Sequence, residues 1–237
     1  MEVGPTAHYV MGGVRVDPES QESTVPGLYA AGEVASGLHG ANRLGGNSLS
    51  DLIVFGKRAG EYAANRASGL DQPTLNESAI TAAAEKIVEP LNREDGENPG
   101  TIYDELREMM QQKVGIIRTA ALLEEAISDL DSISKRADSC NPGSNKRYNS
   151  GWHQALDLKN MIDVSRTCAL AALQRTESRG AHTRDDYPLT DSKKWGHTTL
   201  VVRMKEDKIM IDEEEIEQPP PEVEAHLNRS KRGGEEE

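Results

Sequence analysis

Apolar residues recur at helical spacing through the middle of the chain, between about residues 73 and 180. They return every three or four positions, which is the pattern of an amphipathic helix that buries one face. Four segments show it: residues 75–91, 101–112, 119–137 and 156–178. Loop-forming Pro, Gly and Asn separate these segments. The pattern predicts an antiparallel helical bundle, whose apolar stripes form a core rather than a cofactor site.

The first 68 residues have an α/β pattern instead. Residues 10–16 form an extended stretch broken by glycine, and residues 27–31 predict a short buried strand that ends at residues 32–33. Residues 49–65 then predict a helix with small residues on its apolar face. Such a face is expected to pack closely against a sheet or another backbone.

The remaining residues, 181–237, contain a short β-like piece followed by a charged end. The β-like segments are residues 197–203 and 208–211, and a run of three prolines follows at 219–221. From Met204 onward twelve acidic residues stand against five basic ones. We expect this end to be disordered. The predicted domains are therefore residues 1–68, 73–180 and 181–237.

Composition excludes several classes of function. The formal net charge of −13 argues against binding to nucleic acid, whose phosphates it would repel. The two cysteines, Cys140 and Cys168, have no metal-ligand spacing, so reduced thiols and no metal site are expected. No apolar run approaches the roughly 20 residues that span a bilayer, and the first residues do not resemble a signal peptide. These features predict a cytoplasmic chain.

The candidate chemistry is concentrated in a glycine-rich loop at residues 39–51. The loop carries Arg43 and passes through Asn47 and Ser48 into the predicted helix. A helix start offers free backbone N–H groups and partial positive charge, and arginine offers a planar fork for a carboxylate. The loop is thus predicted to bind an anion or an electron-rich ring. By themselves, Arg43 could be a surface charge and Asn47 or Ser48 an ordinary helix cap.

Five segments in a fixed order resemble the flavoprotein subunit of succinate dehydrogenase and fumarate reductase. They are residues 5–13, 27–33, 39–51, 54–60 and 177–188, and the resemblance extends over roughly residues 1–203. L-Aspartate oxidase shares the first segment and part of the loop. The sequence Leu-Gly-Gly-Asn-Ser-Leu-Ser-Asp at residues 44–51 favours the succinate and fumarate group. A non-catalytic helical interaction module is a further alternative.

The resemblance implies FAD as cofactor and a four-carbon dicarboxylate, succinate or fumarate, as substrate. It implies that His8 and Arg43 bind the substrate and that Glu33 accepts hydrogen bonds from ribityl or ribose hydroxyls. It places Asn47, Ser48 and Leu49 at the flavin ring. Without the resemblance, His8 could be a satisfied buried histidine and Glu33 a solvated acid.

Five further polar residues receive weaker expectations. His39 is expected either to contact the flavin or to pack the loop. Asp51 is expected to complement the helix dipole without a functional role. Arg179, His182 and Arg184 are expected to form a structural or subunit-contact cluster near a domain junction.

The implied fold is an α/β segment of an FAD-binding domain of the two-dinucleotide-fold type, followed by the helical bundle and the β-containing tail. The family's Gly-rich FAD unit, covalent-flavin histidine and proton-donor arginine have no counterpart in this sequence, so no catalytic residue is assigned. We therefore expect a C-terminal portion of a flavoprotein that needs an N-terminal half. The resemblance also implies an iron–sulfur subunit as partner. Through that partner it implies an indirect association with membrane anchors on the cytoplasmic face of a membrane.

Overall fold

The computed structural model describes residues 7–206, 208–216 and 219–223. These residues divide between Thr190 and Asp191 into two compact units. Pro5 and Thr6 of the first motif lie outside the described residues, as does most of the charged end that was expected to be disordered.

The described part of the chain is rich in helix. Its helices are α1 (Asn47–Ser68), α2 (Glu77–Val88), α3 (Pro99–Lys113), α4 (Ala120–Ala137), α5 (Ser150–Gln174) and the short α6 (Ser192–Trp195). Two 3₁₀ turns accompany them, at Gly32–Val34 and Glu89–Asn92.

The core of the first unit lies between α3, α4 and α5. The helices bury Ile102, Leu106, Leu123, Leu130 and Leu158, none of which is more than 1% exposed. The predicted helices at residues 101–112 and 119–137 are confirmed to within two residues at each end. Helix α5 begins six residues earlier than predicted, because the Asn149 side chain accepts a hydrogen bond from Trp152 N at 3.0 Å and starts the helix there.

The strands are few and short. In the first unit β1 (Ile117–Arg118) pairs in parallel with β2 (Thr183–Arg184). The second unit contains an antiparallel hairpin of β3 (Thr198–Lys205) and β4 (Lys208–Glu215). The predicted β-like extension is confirmed, and its second strand is longer than expected.

The predicted buried strand at residues 27–31 is wrong. Tyr29 forms only an isolated bridge with Glu22, Leu28 is 50% exposed, and the chain turns into a 3₁₀ helix at Gly32. A β-strand forms a ladder only where a neighbouring strand pairs with it along its length. Among the described residues, this segment has only the single bridge with Glu22.

The apolar face of α1 does not pack against a sheet in the described part of the chain. Leu49, Leu52 and Ile53 are 66%, 53% and 74% exposed, and Asp51 is the buried residue of the helix. The helix contacts the 3₁₀ turn at Gly32–Val34. Among the described residues, no helix combines the length and apolar character needed to cross a membrane.

Candidate functional site

The first motif and the first turn of α1 meet at an open cleft of about 240 Å³. The cleft is lined by His8, Tyr9, Glu33, Ser48 and Leu52. Three of the six predicted site residues, His8, Glu33 and Ser48, therefore share one surface although they are far apart in sequence. His8 is exposed in the described structure, which does not favour the satisfied buried histidine considered above.

Glu33 is held at the cleft by backbone geometry. Val10 N donates a hydrogen bond to Glu33 Oε1 at 2.9 Å. Gly32 has φ +76°, a backbone conformation that favours glycine, and the chain passes beside the Leu52 side chain of α1 there. An ionised carboxylate accepts several hydrogen bonds, and Glu33 therefore retains capacity for a ligand hydroxyl.

Arg43 folds back over two of the residues that line the cleft. Its guanidinium carbon lies 4.7 Å from the centre of the Tyr9 ring, and Nη1 donates to Ser48 Oγ at 3.3 Å. Nη1 also donates to the carbonyl of Gly45. Within the described structure, Arg43 Nε is buried and has no hydrogen-bond partner. An unsatisfied buried donor costs free energy, so this nitrogen is available for a partner once the side chain or the loop moves to expose it.

A hydrogen-bonded network joins the two ends of this loop, His39 and Asp51, to Tyr9 of the first motif. Asp51 Oδ2 lies 3.4 Å from the Tyr9 hydroxyl, which donates to it, and 3.3 Å from His39 Nε2. The rings of Tyr9 and His39 meet edge to face with centroids 5.3 Å apart. Burial, followed by the charge of Asp51, raises the pKa of the Tyr9 hydroxyl above its ordinary value.

This network corrects the expectation for Asp51 and favours loop packing for His39. Asp51 does more than complement the helix dipole, because it is 5% exposed and contacts Tyr9 of the first motif and His39 at the start of its own loop. His39 packs the loop. The burial of an acid on an otherwise exposed helix is a tertiary effect, and the sequence carries no signal for it.

The start of α1 differs from the capping expectation. The cap residue is Gly46, which has no side-chain bond, and Asn47 and Ser48 are the first helical residues. Ser48 Oγ accepts from Arg43 instead of capping. Asn47 and Leu49 are exposed on this turn and are not among the side chains that line the cleft in the described structure.

The predicted cluster of Arg179, His182 and Arg184 is present and lies apart from the cleft. Its Arg179 binds Glu177, which is fully buried and accepts from Arg175 Nη1 at 2.6 Å and Arg179 Nε at 2.8 Å. Sequence reasoning missed Glu177 and Arg175. The signal that could have found them was the acid placed between arginines at residues 175–179.

His182 is held as a neutral imidazole inside this cluster. Its Nδ1 lies 3.1 Å from Arg118 Nη1, and its Nε2 lies 3.1 Å from the carbonyl oxygen of Arg175. Since arginine only donates and a carbonyl only accepts, Nδ1 is the acceptor and Nε2 carries the hydrogen. Burial, together with the arginines around the ring, lowers the pKa of His182.

Arg184 closes the C-terminal end of α5. It is 1% exposed and donates from Nη1 to the carbonyls of Ala172 at 2.7 Å and Leu173 at 3.1 Å. Its other nitrogens bind both carboxylate oxygens of Asp186. The hydrogen bonds from Arg184 lower the pKa of Asp186 to about 2. Such a contact is structural in kind.

Comparison with known proteins identifies the family. Residues 103–227, more than half of the chain, match the family model described as fumarate reductase flavoprotein C-term. The chain belongs to this family. Residues 1–49 match a model described as FAD binding domain. The predicted resemblance and the prediction of FAD as cofactor are both confirmed.

Relatives of this flavoprotein chain cover most of its length. The fumarate reductase (CoM/CoB) of Methanothermobacter marburgensis has a subunit that is 38% identical over 89% of the chain. The fumarate reductase flavoprotein subunit of Haemophilus influenzae is 40% identical over 84%. The Mycobacterium smegmatis Sdh1 structure in complex with UQ1 superimposes with a TM-score of 0.85, at 47% identity over 93% of the chain and 37% of the solved chain.

The chain spans 38% and 34% of the length of the two curated relatives. These relatives support the fumarate reductase and succinate dehydrogenase group over the L-aspartate oxidase alternative.

The residues at the cleft fit an FAD molecule in their chemistry. Glu33 offers a carboxylate to hydroxyl donors. Helix α1 begins at the cleft, and the first turn of an α-helix carries N–H groups that have no intrahelical acceptor. A Cβ at Gly45 or Gly46 would meet no atom within 4 Å, so the backbone there is open to a ligand. No group of three metal-ligating side chains is present in the described part of the chain.

Proposed function

We propose that this chain is the C-terminal portion of a flavoprotein subunit that interconverts succinate and fumarate with FAD. It would act together with sequence corresponding to the remaining length of its relatives. The carrying observation is the cleft that gathers His8, Glu33 and Ser48, with Arg43 in contact with two of its lining side chains.

Arg43 and His8 are proposed to hold the two carboxylates of the substrate. A dicarboxylate needs fixed donors at both ends, and the guanidinium of Arg43 can give two parallel N–H bonds to one of them. The guanidinium of Arg43 lies over the Tyr9 ring, and the Tyr9 hydroxyl donates a hydrogen bond to Asp51. The contacts of Arg43 with Tyr9 and Ser48, two residues that line the cleft, support this role.

FAD supplies a hydride acceptor and donor when it is bound. We assign Glu33 to the ribityl or ribose hydroxyls and Asn47, Ser48 and Leu49 to the flavin ring. The positive end of α1 stabilises negative charge at its N-terminus. Glu33 and Ser48 line the cleft, which supports their two assignments.

The fold and partners of the whole protein complete the proposal. We assign residues 1–68 to the C-terminal piece of the capping and FAD-binding domain, which is of two-dinucleotide-fold type. Residues 73–180 are assigned to an antiparallel helical domain, and residues 181–237 to a β-like extension and a charged tail. The proposed partners are an N-terminal flavoprotein half, an iron–sulfur subunit, and membrane anchors that are reached through the iron–sulfur partner. The likeness to the Sdh1 complex supports a role within a multi-subunit assembly. Within that assembly the chain would lie on the cytoplasmic face of the membrane.

The test is reconstitution with a complementary fragment. The chain is co-expressed with the part of the Haemophilus influenzae flavoprotein subunit that precedes the aligned segment, and flavin content and fumarate reduction by a reduced viologen dye are measured. We expect bound FAD and activity, and we expect Arg43→Lys to raise KM for fumarate by about 30-fold, because the planar fork is lost.

Arg107→Lys, on the exposed face of α3, is the matched control and should leave KM unchanged. A reconstituted protein without flavin would refute the cofactor sites of this chain. Flavin-bound protein in which Arg43→Lys behaves like the control would refute the substrate site.

A further inference from the structure

A tight turn after the helical bundle touches the loop that carries Arg43. Arg179 and His182 exchange two backbone hydrogen bonds, with N to O distances of 2.8 and 3.0 Å, so that Gly180 and Ala181 form the tip of a two-residue turn. Ala181 N donates to the carbonyl oxygen of Ala41 at 2.9 Å. Ala41 lies two positions before Arg43 in the chain.

The contact between turn and loop is backbone against backbone. A Cβ at Gly180 would lie 2.3 Å from Ala41 O and 2.6 Å from Ala41 C, and Gly180 has φ +59°. Both observations require glycine at this position, since any side chain would push the Ala41 backbone away or strain the turn.

Side chains hold both ends of the turn. Arg179 binds both carboxylate oxygens of the buried Glu177, at 2.8 and 3.1 Å, and His182 is fixed between Arg118 and the Arg175 carbonyl. The loop, in contrast, contains left-handed glycines at Gly40 and Gly45, which allow many backbone conformations. An external anchor therefore lowers the entropy that the loop must lose when it binds a ligand.

We infer that the Gly180–Ala181 turn positions the Arg43 loop for substrate, so that Gly180 is a positioning residue for dicarboxylate binding. This inference rests on the proposed function, because it requires Arg43 to bind a substrate carboxylate. Glu177 then acts on the site indirectly. It holds Arg179 at one end of the turn, and the turn holds the backbone of the loop at Ala41.

The test compares two matched glycine substitutions in the reconstituted flavoprotein. Gly180→Ala and Gly96→Ala both place a methyl group on a left-handed glycine, 2.3 and 2.2 Å from a backbone oxygen, but Gly96 faces Ser139 in the helical domain. The dissociation constant for malonate, a dicarboxylate too short to react, is measured by calorimetry. Fumarate KM and kcat are measured alongside.

Gly180→Ala should raise the malonate dissociation constant and fumarate KM about tenfold, because a misplaced loop weakens binding more than turnover. Gly96→Ala should lower the melting temperature and change both values less than about twofold. In an Arg43→Lys background, Gly180→Ala should add less than about twofold, because its effect passes through Arg43.

Three outcomes overturn the inference. If Gly180→Ala matches Gly96→Ala while Arg43→Lys still weakens malonate, the positioning role falls and the proposed function stands. If Gly180→Ala has its full effect in the Arg43→Lys background, the turn acts independently of Arg43. If Arg43→Lys leaves malonate binding unchanged, both ideas fall.

A milder variant covers the case in which Gly180→Ala does not fold. Arg179→Lys keeps the charge and the turn backbone but removes the fork that grips Glu177. It should increase hydrogen exchange in residues 40–46 of the full chain and raise the malonate dissociation constant about threefold. Unchanged exchange and unchanged binding would overturn the inference.

Discussion

Buried charged side chains in the described part of the chain are paired with carboxylates and carbonyl groups close to them, and Arg184 is the clearest case. Its side chain is 1% exposed, yet two carbonyls of α5 and the carboxylate of Asp186 satisfy its nitrogens. Asp186 also accepts from Ala120 N at 2.8 Å, at the start of α4. One carboxylate thus links the end of one helix to the beginning of another, and removing its charge leaves a buried cation without an ionised partner.

Asp186→Asn should lower the free energy of unfolding by about 3 kcal/mol at pH 7, because Arg184 loses its ionised partner. The folded pKa of Asp186 is about 2, against 3.8 for the free group. A depressed pKa stabilises the fold above the unfolded value and ceases to do so as the pH falls through the folded value. The difference between wild type and variant should therefore shrink between about pH 4 and pH 2.

Urea unfolding followed by circular dichroism at a series of pH values measures this difference. Asp185→Asn removes the exposed neighbouring carboxylate and should leave stability within about 0.5 kcal/mol. A difference that stays constant from pH 7 to below the folded pKa would contradict the assigned ion pair.

At the scale of elements, helices with similar sequence patterns have different surroundings. Both α1 and α4 carry a regular apolar stripe, but the stripe of α4 is buried by α3 and α5 while that of α1 is exposed in the described structure. Packing partners, and not periodicity, decide how much free energy such a stripe contributes. The two helices therefore offer a direct comparison.

Leu123→Ala in α4 should lower the free energy of unfolding by about 3 kcal/mol, because the side chain is fully buried and leaves a cavity. Leu49→Ala in α1 should change it by less than about 0.5 kcal/mol, because that side chain is 66% exposed. The same urea titration measures both variants. Equal losses would mean that α1 is packed in solution in a way the described residues do not show.

On the scale of the whole molecule, several of the large apolar side chains that remain exposed lie in the Arg43 loop and in α1. Leu44 is 71% exposed and Ile53 74%, in addition to Leu49 and Leu52. Contiguous apolar surface of this kind favours association, and the net charge of −13 opposes it only through long-range repulsion that salt screens.

The purified chain should therefore self-associate, more strongly at high salt, when studied by sedimentation velocity. Ile53→Lys should reduce the association because it places a charge within the apolar face. Asn65→Lys adds the same charge at an exposed polar position of α1 and is the matched control. A monodisperse monomer of wild-type chain at all salt concentrations would contradict this prediction.

The sequence by itself determined the helices of the core, the β-containing extension, the family and the cofactor. Helical periodicity is local, so α3 and α4 were predicted to within two residues, and the motifs around residues 39–51 carry the family's chemistry in their order. The start of α5 was missed because its cap, Asn149, precedes any apolar repeat.

Only the tertiary structure decided which side chains meet. It buried Asp51 against Tyr9 and His39, enclosed Glu177 between two arginines, brought Gly180 onto Ala41, and left residues 27–31 without a strand ladder. The contacts of Asp51 with Tyr9 and of Gly180 with Ala41 join positions that are far apart in sequence, and a strand ladder depends on a neighbouring element. The ion pairs of Glu177 are local in sequence, but its complete burial depends on the structure around it. Periodicity and composition describe the environment that a residue prefers, whereas burial and pairing depend on which distant backbone arrives beside it.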